Sequence, residues 1–234
     1  MSLRSAFNYP RRRFILGSAL VLGVAALVSG CATPPPPYDY TAFNLAKPVT
    51  MLVLPPLNDS PDVKATASVW SHSTKPLAEA GYYVLSVGLV DELFRQNGVT
   101  TARDAHDIPP ARLREVFGAD AAVYMRVRKY GTSYAILSSE TRVEVEARIV
   151  DLRTETVLWQ GTAMASSAEQ QQAQSSLLAA LVVAVVQQIA STVTDASYNY
   201  AGIANVRLLG APRYNGVLPG PRSPFFGKPI NAAR

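Results

Sequence analysis

The sequence predicts an α/β (α+β) fold: a single mixed sheet that carries a C-terminal antiparallel meander, with helices packed on it. Three observations lead there. The run Val49-Thr50-Met51-Leu52-Val53-Leu54 is nearly all apolar, as a strand buried on both faces requires. Helical spacing and short apolar runs then alternate as far as Phe117, which is the pattern of strands and helices in turn. Beyond residue 120 the period becomes two: Val123, Met125 and Val127 alternate with Tyr124, Arg126 and Arg128.

The first thirty residues do not belong to that fold. Arg11-Arg12-Arg13 is a basic cluster, residues 14–28 are apolar, and Ser29 and Gly30 are small, which is the build of a secretory signal. The only cysteine, Cys31, follows directly. Leu27-Val28-Ser29-Gly30-Cys31 therefore resembles a bacterial lipoprotein signal. That resemblance implies a thioether lipid on Cys31, cleavage between Gly30 and Cys31, and a fatty acyl chain such as palmitate on the new amino terminus. A thiolate suits the first step because sulfur is the most nucleophilic side-chain atom available. The apolar run is shorter than the roughly 20 residues that a spanning helix needs. Arg11-Arg12-Arg13-Phe14-Ile15 also resembles a twin-arginine export signal, and an ordinary Sec signal accounts for the same residues. Residue 32 is Ala and not Asp, which by analogy with lipoprotein sorting favours the outer membrane.

Residues 31–48 form a spacer, because Pro34-Pro35-Pro36-Pro37 favours an extended polyproline II chain. The folded domain is expected over 49–203. Pro55-Pro56 stops its first strand, Asp62 is placed to cap a weak helix reaching Ala80, and Pro76 could divide that helix in two. A second strand is expected at 82–87. A helix at 88–97 follows, with Leu89, Val90, Leu93 and Phe94 on one face and Asn97-Gly98 as its stop. A short strand is expected at 99–101. Pro109-Pro110 opens a helix that ends at Gly118. The meander is read as three strands with turns at 131–134 and 152–155; Val143, Val145, Ala147 and Ile149 face inward in the second, and Val157 and Trp159 mark the third. A long helix is expected over 170–194. Its ten apolar residues at 177–186 suit burial against the sheet, with an interfacial helix as the alternative. From 204 to 234 the chain is rich in Gly and Pro and is expected to be an irregular basic tail.

Charge excludes one class of function. Of 22 basic residues, four lie in the first thirty, leaving 18 against 17 acidic ones. The tail holds five more (Arg207, Arg213, Arg222, Lys228, Arg234) and no acid, so the body between is net acidic. No basic domain remains to bind nucleic acid.

Chemistry is equally sparse. His72 and His106 lack metal-ligand spacing, and no metal site is expected. Adjacent Ser71, His72 and Ser73 rarely face one another. Asn58, Asp59 and Asp62 lack the Gly and terminal Glu of a calcium loop. Glu144 and Glu146 share a strand face with Arg142 and Arg148, which suits cross-strand ion pairing better than acid/base work. No catalytic residue is assigned, and no cofactor is expected beyond the covalent lipid on Cys31.

Several stretches together resemble a family of bacterial outer-membrane lipoproteins of unknown function, the neisserial-antigen type. They are Pro76-Leu77-Ala78-Glu79-Ala80-Gly81-Tyr82-Tyr83-Val84, Val90-Asp91-Glu92 and Phe117-Gly118-Ala119-Asp120-Ala121. Ala147-Arg148-Ile149-Val150-Asp151-Leu152-Arg153 with Trp159, and Gly220-Pro221-Arg222-Ser223-Pro224, complete the set. Ser86 stands where the family's Val-Leu-Pro segment has proline. The resemblance implies a periplasmic α/β domain like those of envelope transport accessory lipoproteins, and a partner that is another envelope lipoprotein or a pore resembling the curli secretion lipoprotein.

Two functional readings follow. In the first, a lipid-anchored, non-enzymatic accessory lipoprotein docks a partner in an outer-membrane assembly or transport complex. Arg222, Phe225 and Phe226 in the tail are its candidate anchors, because arginine and aromatics dominate binding hot spots. In the second, a small-ligand-binding or hydrolytic lipoprotein uses the crevice after the first strand, with Asn58, Asp59, Trp70 and His72.

Overall fold

The computed structural model describes residues 36–135, 138–169 and 196–229. Cys31, the signal stretch and the helix expected over 170–194 lie outside the described residues. The chain divides into residues 1–37 and a body over 38–234, and the account below concerns the body.

Six strands form one mixed sheet. They are β1 (Thr50–Val53), β2 (Leu57–Asn58), β3 (Tyr83–Val84), β4 (Ala121–Ala135), β5 (Ser138–Asp151) and β6 (Val157–Ser166). The order is β3-β1-β4-β5-β6, with β2 also paired to β4. β1 runs parallel to β3 and β4, whereas β5 runs antiparallel to both of its neighbours, β4 and β6. The fold is thus the mixed α/β sheet with a C-terminal meander that the two hydrophobic periods predict. Met51, Leu52, Val53 and Leu54 are fully buried at its centre.

Among the described residues six helices accompany the strands: α1 (Thr41–Ala46), α2 (Ala65–Glu79), α3 (Val87–Gln96), α4 (Ala102–Asp107), α5 (Pro110–Phe117) and α6 (Ala196–Leu209). α2 connects β1 to its parallel neighbour β3, as a crossover helix must. α6 packs on α2 and across β5 and β6. Its Ala201, Ala204, Asn205 and Leu208 are buried at the i, i+3, i+4, i+7 spacing of one helical face.

Several expectations need correction. The spacer does not extend to residue 48. Aromatics begin at Tyr38, and the helix α1 buries Phe43 in the core. The tail does not begin at 204, because α6 continues to Leu209 and buries its apolar face. Residues 99–101 form no strand. Thr101 instead caps α4, accepting from the Asp104 N–H at 3.1 Å while the Asp104 carboxylate accepts from Thr101 N–H. Asp62 lies outside α2 and holds the preceding turn, accepting from the Lys64 N–H. Pro76 does not split α2, since burial of Ser73, Pro76 and Leu77 offsets one missing hydrogen bond. The second strand covers only Tyr83 and Val84, with Leu85 N–H still bonded to Met51 O. No turn occurs at 131–134. Gly131 sits inside β4 with φ +133°, opposite Arg142, and the ladder continues beyond it.

Candidate functional site

The meander turns one face to the core and the other outward. Val123, Met125, Val127, Val143, Val145 and Ile149 are buried, while Arg126, Arg128, Glu144, Glu146 and Arg148 line the opposite face. Alternation over a pleat of period two is the cause. A register shift between Val127 and Lys129 brings Lys129 opposite Glu144.

Two clusters organise that outer face. Asp59, in the loop after β2, bridges Arg126 at 2.7 Å and Arg128 at 2.8 Å. Arg128 continues through Nε to Glu146 at 2.8 Å. These side chains remain a third or more exposed, so each pair contributes at most about 1 kcal/mol. In the second cluster the Arg148 guanidinium lies over the Tyr124 ring, 4.8 Å from its centroid. His106 of α4 meets the same ring edge-on at 5.2 Å. His106 Nε2 donates to Pro55 O at 3.0 Å, which leaves Nδ1 as the acceptor of the neutral ring. Burial lowers the His106 pKa; the Pro55 hydrogen bond opposes this, and the nearby Arg148 and Arg126 lower it further. A hollow of about 560 Å³ opens between His106, Tyr124, Glu146, Arg148, Gln160 and Thr162. A second, of about 300 Å³, continues it past Arg103 and Asp107 and shares Leu57, His106, Arg126 and Arg148 with the first.

The crevice residues do not come together. Asn58 and Asp59 line the smaller hollow of the charged face. Asn58 is occupied with its own loop, accepting from Ser60 and donating to Asp62 O. Trp70 of α2 is buried and donates its indole N–H to Val53 O at 3.0 Å. It borders a different groove, with Pro55, Phe94 and Val99. His72 packs against Tyr198 of α6 with the rings tilted, 4.3 Å between centroids, and burial lowers its pKa. Among the described residues no group of three His, Cys, Asp or Glu side chains is placed to hold a metal ion, and no helix is long and apolar enough to cross a membrane.

The tail packs against the body as far as Ser223. Val217 is fully buried, and Trp159 donates to Asn215 O at 3.0 Å. Tyr82 OH donates to Leu218 O at 2.6 Å, Gly220 N–H to Ala80 O, and Arg222 N–H to Gly81 O. Gly81 has φ +99°, and a Cβ there would collide with the backbone of Ser223. Beyond that clasp the chain turns tightly, and Phe225 and Phe226 stay 38% and 49% exposed. Arg222 is exposed too, with its guanidinium 5.6 Å from the Tyr83 ring centroid. All three tail residues of the first reading are thus exposed. Sequence reasoning missed Arg103, Tyr124, Gln160 and Thr162, although strict alternation already placed Tyr124 on the charged face.

An anchor motif ahead of a mixed α/β body defines a membrane-anchored lipoprotein of the bacterial envelope. The chain belongs to the family described as "Putative lipoprotein GNA1162-like", whose model matches residues 38–222. It is 46% identical over 206 residues to "Putative lipoprotein NMB1124/NMB1162" of Neisseria meningitidis serogroup B, covering 87% of this chain and 95% of that one. The crystal structure of lipoprotein GNA1162 from Neisseria meningitidis matches with 46% identity and a TM-score of 0.49, covering 62% of this chain and 99% of that one. The LpoB C-terminal domain of Escherichia coli matches at 13% identity and a TM-score of 0.37, covering 55% of this chain and 98% of that one.

Proposed function

We propose that the protein is a non-enzymatic accessory lipoprotein, anchored to the outer membrane through lipid on Cys31, with its body facing the periplasm and docking a partner protein. The observation that carries this reading is the clasped tail. Residues 215–223 are fixed by hydrogen bonds to Trp159 and to residues 80–82 of the body, and Arg222, Phe225 and Phe226 stay exposed. Exposed aromatics on a preorganised segment lose little entropy when a partner covers them. The partner is proposed to be another envelope lipoprotein or a pore-forming lipoprotein, and the complex one of assembly or transport. Truncation after Ser223 tests this, because it removes Phe225 and Phe226 and leaves the clasp. Loss of a stoichiometric partner with an unchanged melting temperature supports the reading; retention of the partner refutes it.

A further inference from the structure

We propose that the hollow on the charged face of the sheet binds a small hydroxylated molecule bearing one anionic group, such as a sugar acid or a sugar phosphate. The site is separate from the tail, and the proposal does not depend on partner docking.

The argument begins with which arginines are already satisfied. Arg126 and Arg128 are held by Asp59 and Glu146. Arg103 of α4 and Arg148 of β5 border the same smaller hollow, and among the described residues neither has a carboxylate within ion-pair distance. Arg148 is held over the Tyr124 ring by a cation–π contact. That contact takes no acceptor oxygen, so the guanidinium's N–H groups stay available as the planar fork that grips a carboxylate or phosphate with two hydrogen bonds. His106, hydrogen-bonded to Pro55 O, lines the same hollow.

The remainder of the cavity suits a neutral, hydroxyl-rich body. Beyond Tyr124 the larger hollow is bordered by Glu146, Gln160 and Thr162. These offer acceptors and donors to hydroxyl groups, and Leu57, Met125 and Ala147 add apolar surface for the carbon faces of the same molecule. About 560 Å³ is the size of an ordinary small-molecule site. The same geometry limits the ligand to one anionic group. Glu146 stands at one end, and Asp59 and Asp107 border the other, so a polyanion would meet three carboxylates.

Titration calorimetry on the full-length lipidated protein, in a polyoxyethylene detergent that carries no sugar, tests this. The probes are glucuronate, glucose 6-phosphate, glucose and inorganic phosphate. Saturable binding of glucuronate, glucose 6-phosphate or both is expected, and which of them binds identifies carboxylate or phosphate as the anion. Glucose should not bind, and inorganic phosphate should bind at least about tenfold more weakly than the better sugar. Arg148→Gln and Arg103→Gln should each weaken that sugar about tenfold, the effect of losing one charge-assisted pair, with unchanged melting temperatures. Arg95→Gln on α3 should leave affinity unchanged. No saturable binding of either charged sugar up to about 20 mM overturns the proposal. So does equal affinity for inorganic phosphate, or full affinity in both arginine variants.

Discussion

Trp159 on β6 donates its indole N–H to the carbonyl of Asn215, 3.0 Å away and 56 residues further along the chain. One buried side chain thereby ties the last strand of the meander to the tail. Trp159→Phe should remove the bond, strand the Asn215 carbonyl and leave a gap where the indole lay. The expected loss is about 1–3 kcal/mol, read as a lower denaturant midpoint at constant slope. An unchanged midpoint would show that the tail is held elsewhere.

The clasp has a second point of contact at Gly81. Its φ of +99° disfavours any side chain, and the space a Cβ needs is filled by Ser223. Gly81→Ala should displace residues 220–223 and expose the tail to protease well before the body unfolds. A variant as protease-resistant as the parent protein would contradict this contact.

Burial lowers the pKa values of both histidines from the ordinary 6.5. As pH falls below about 6.5 the unfolded chain takes up protons at these positions while the folded chain does not. The unfolded state then binds more protons, so stability is present above that pH and declines as pH drops toward the folded-state values. A His72→Gln, His106→Gln variant should show a flatter stability profile between about pH 7 and pH 5. Parallel profiles for the two proteins would refute the assignment.

The ion pairs of Asp59 should matter little to stability despite their short distances. Asp59→Asn is expected to cost under about 1 kcal/mol, because exposure lets water and salt screen both arginines. A loss above about 2 kcal/mol would mean the pairs are shielded.

Much of the fold is legible in the sequence because two periods announce it. Residues 51–54 of the apolar run are buried as expected, although Val49 is exposed ahead of β1, and the alternation from Val123 appears in the meander. Misreadings arose where local chemistry had two outcomes. Gly131-Thr132-Ser133 has turn composition, yet the cross-strand partners Arg142, Thr141 and Glu140 keep it in β4, with Thr132 and Thr141 hydroxyls 2.8 Å apart. Thr101 and Asp104 carry the spacing of a capping box, a signal that outweighs the β-propensity of Val99-Thr100-Thr101. In α6, Gly202 and Asn205 disguised a helical stripe whose Asn205 amide donates to Val69 O and Ala201 O. The site was legible only in part. Alternation placed Arg126, Arg128 and Arg148 on one face, but the return of Asp59 from 67 residues away depends on β2 pairing with β4.

The most direct test of the docking surface is site-specific photocrosslinking in the native envelope. A photoreactive residue would replace Phe225 or Phe226 in turn, with the exposed Val63 as the control position. The account predicts one protein adduct from both tail positions, none from position 63, and loss of the adduct on Arg222→Ala or on Cys31→Ala, which removes the anchor. Equal labelling at 63 and 225, or an adduct indifferent to Arg222, would contradict it.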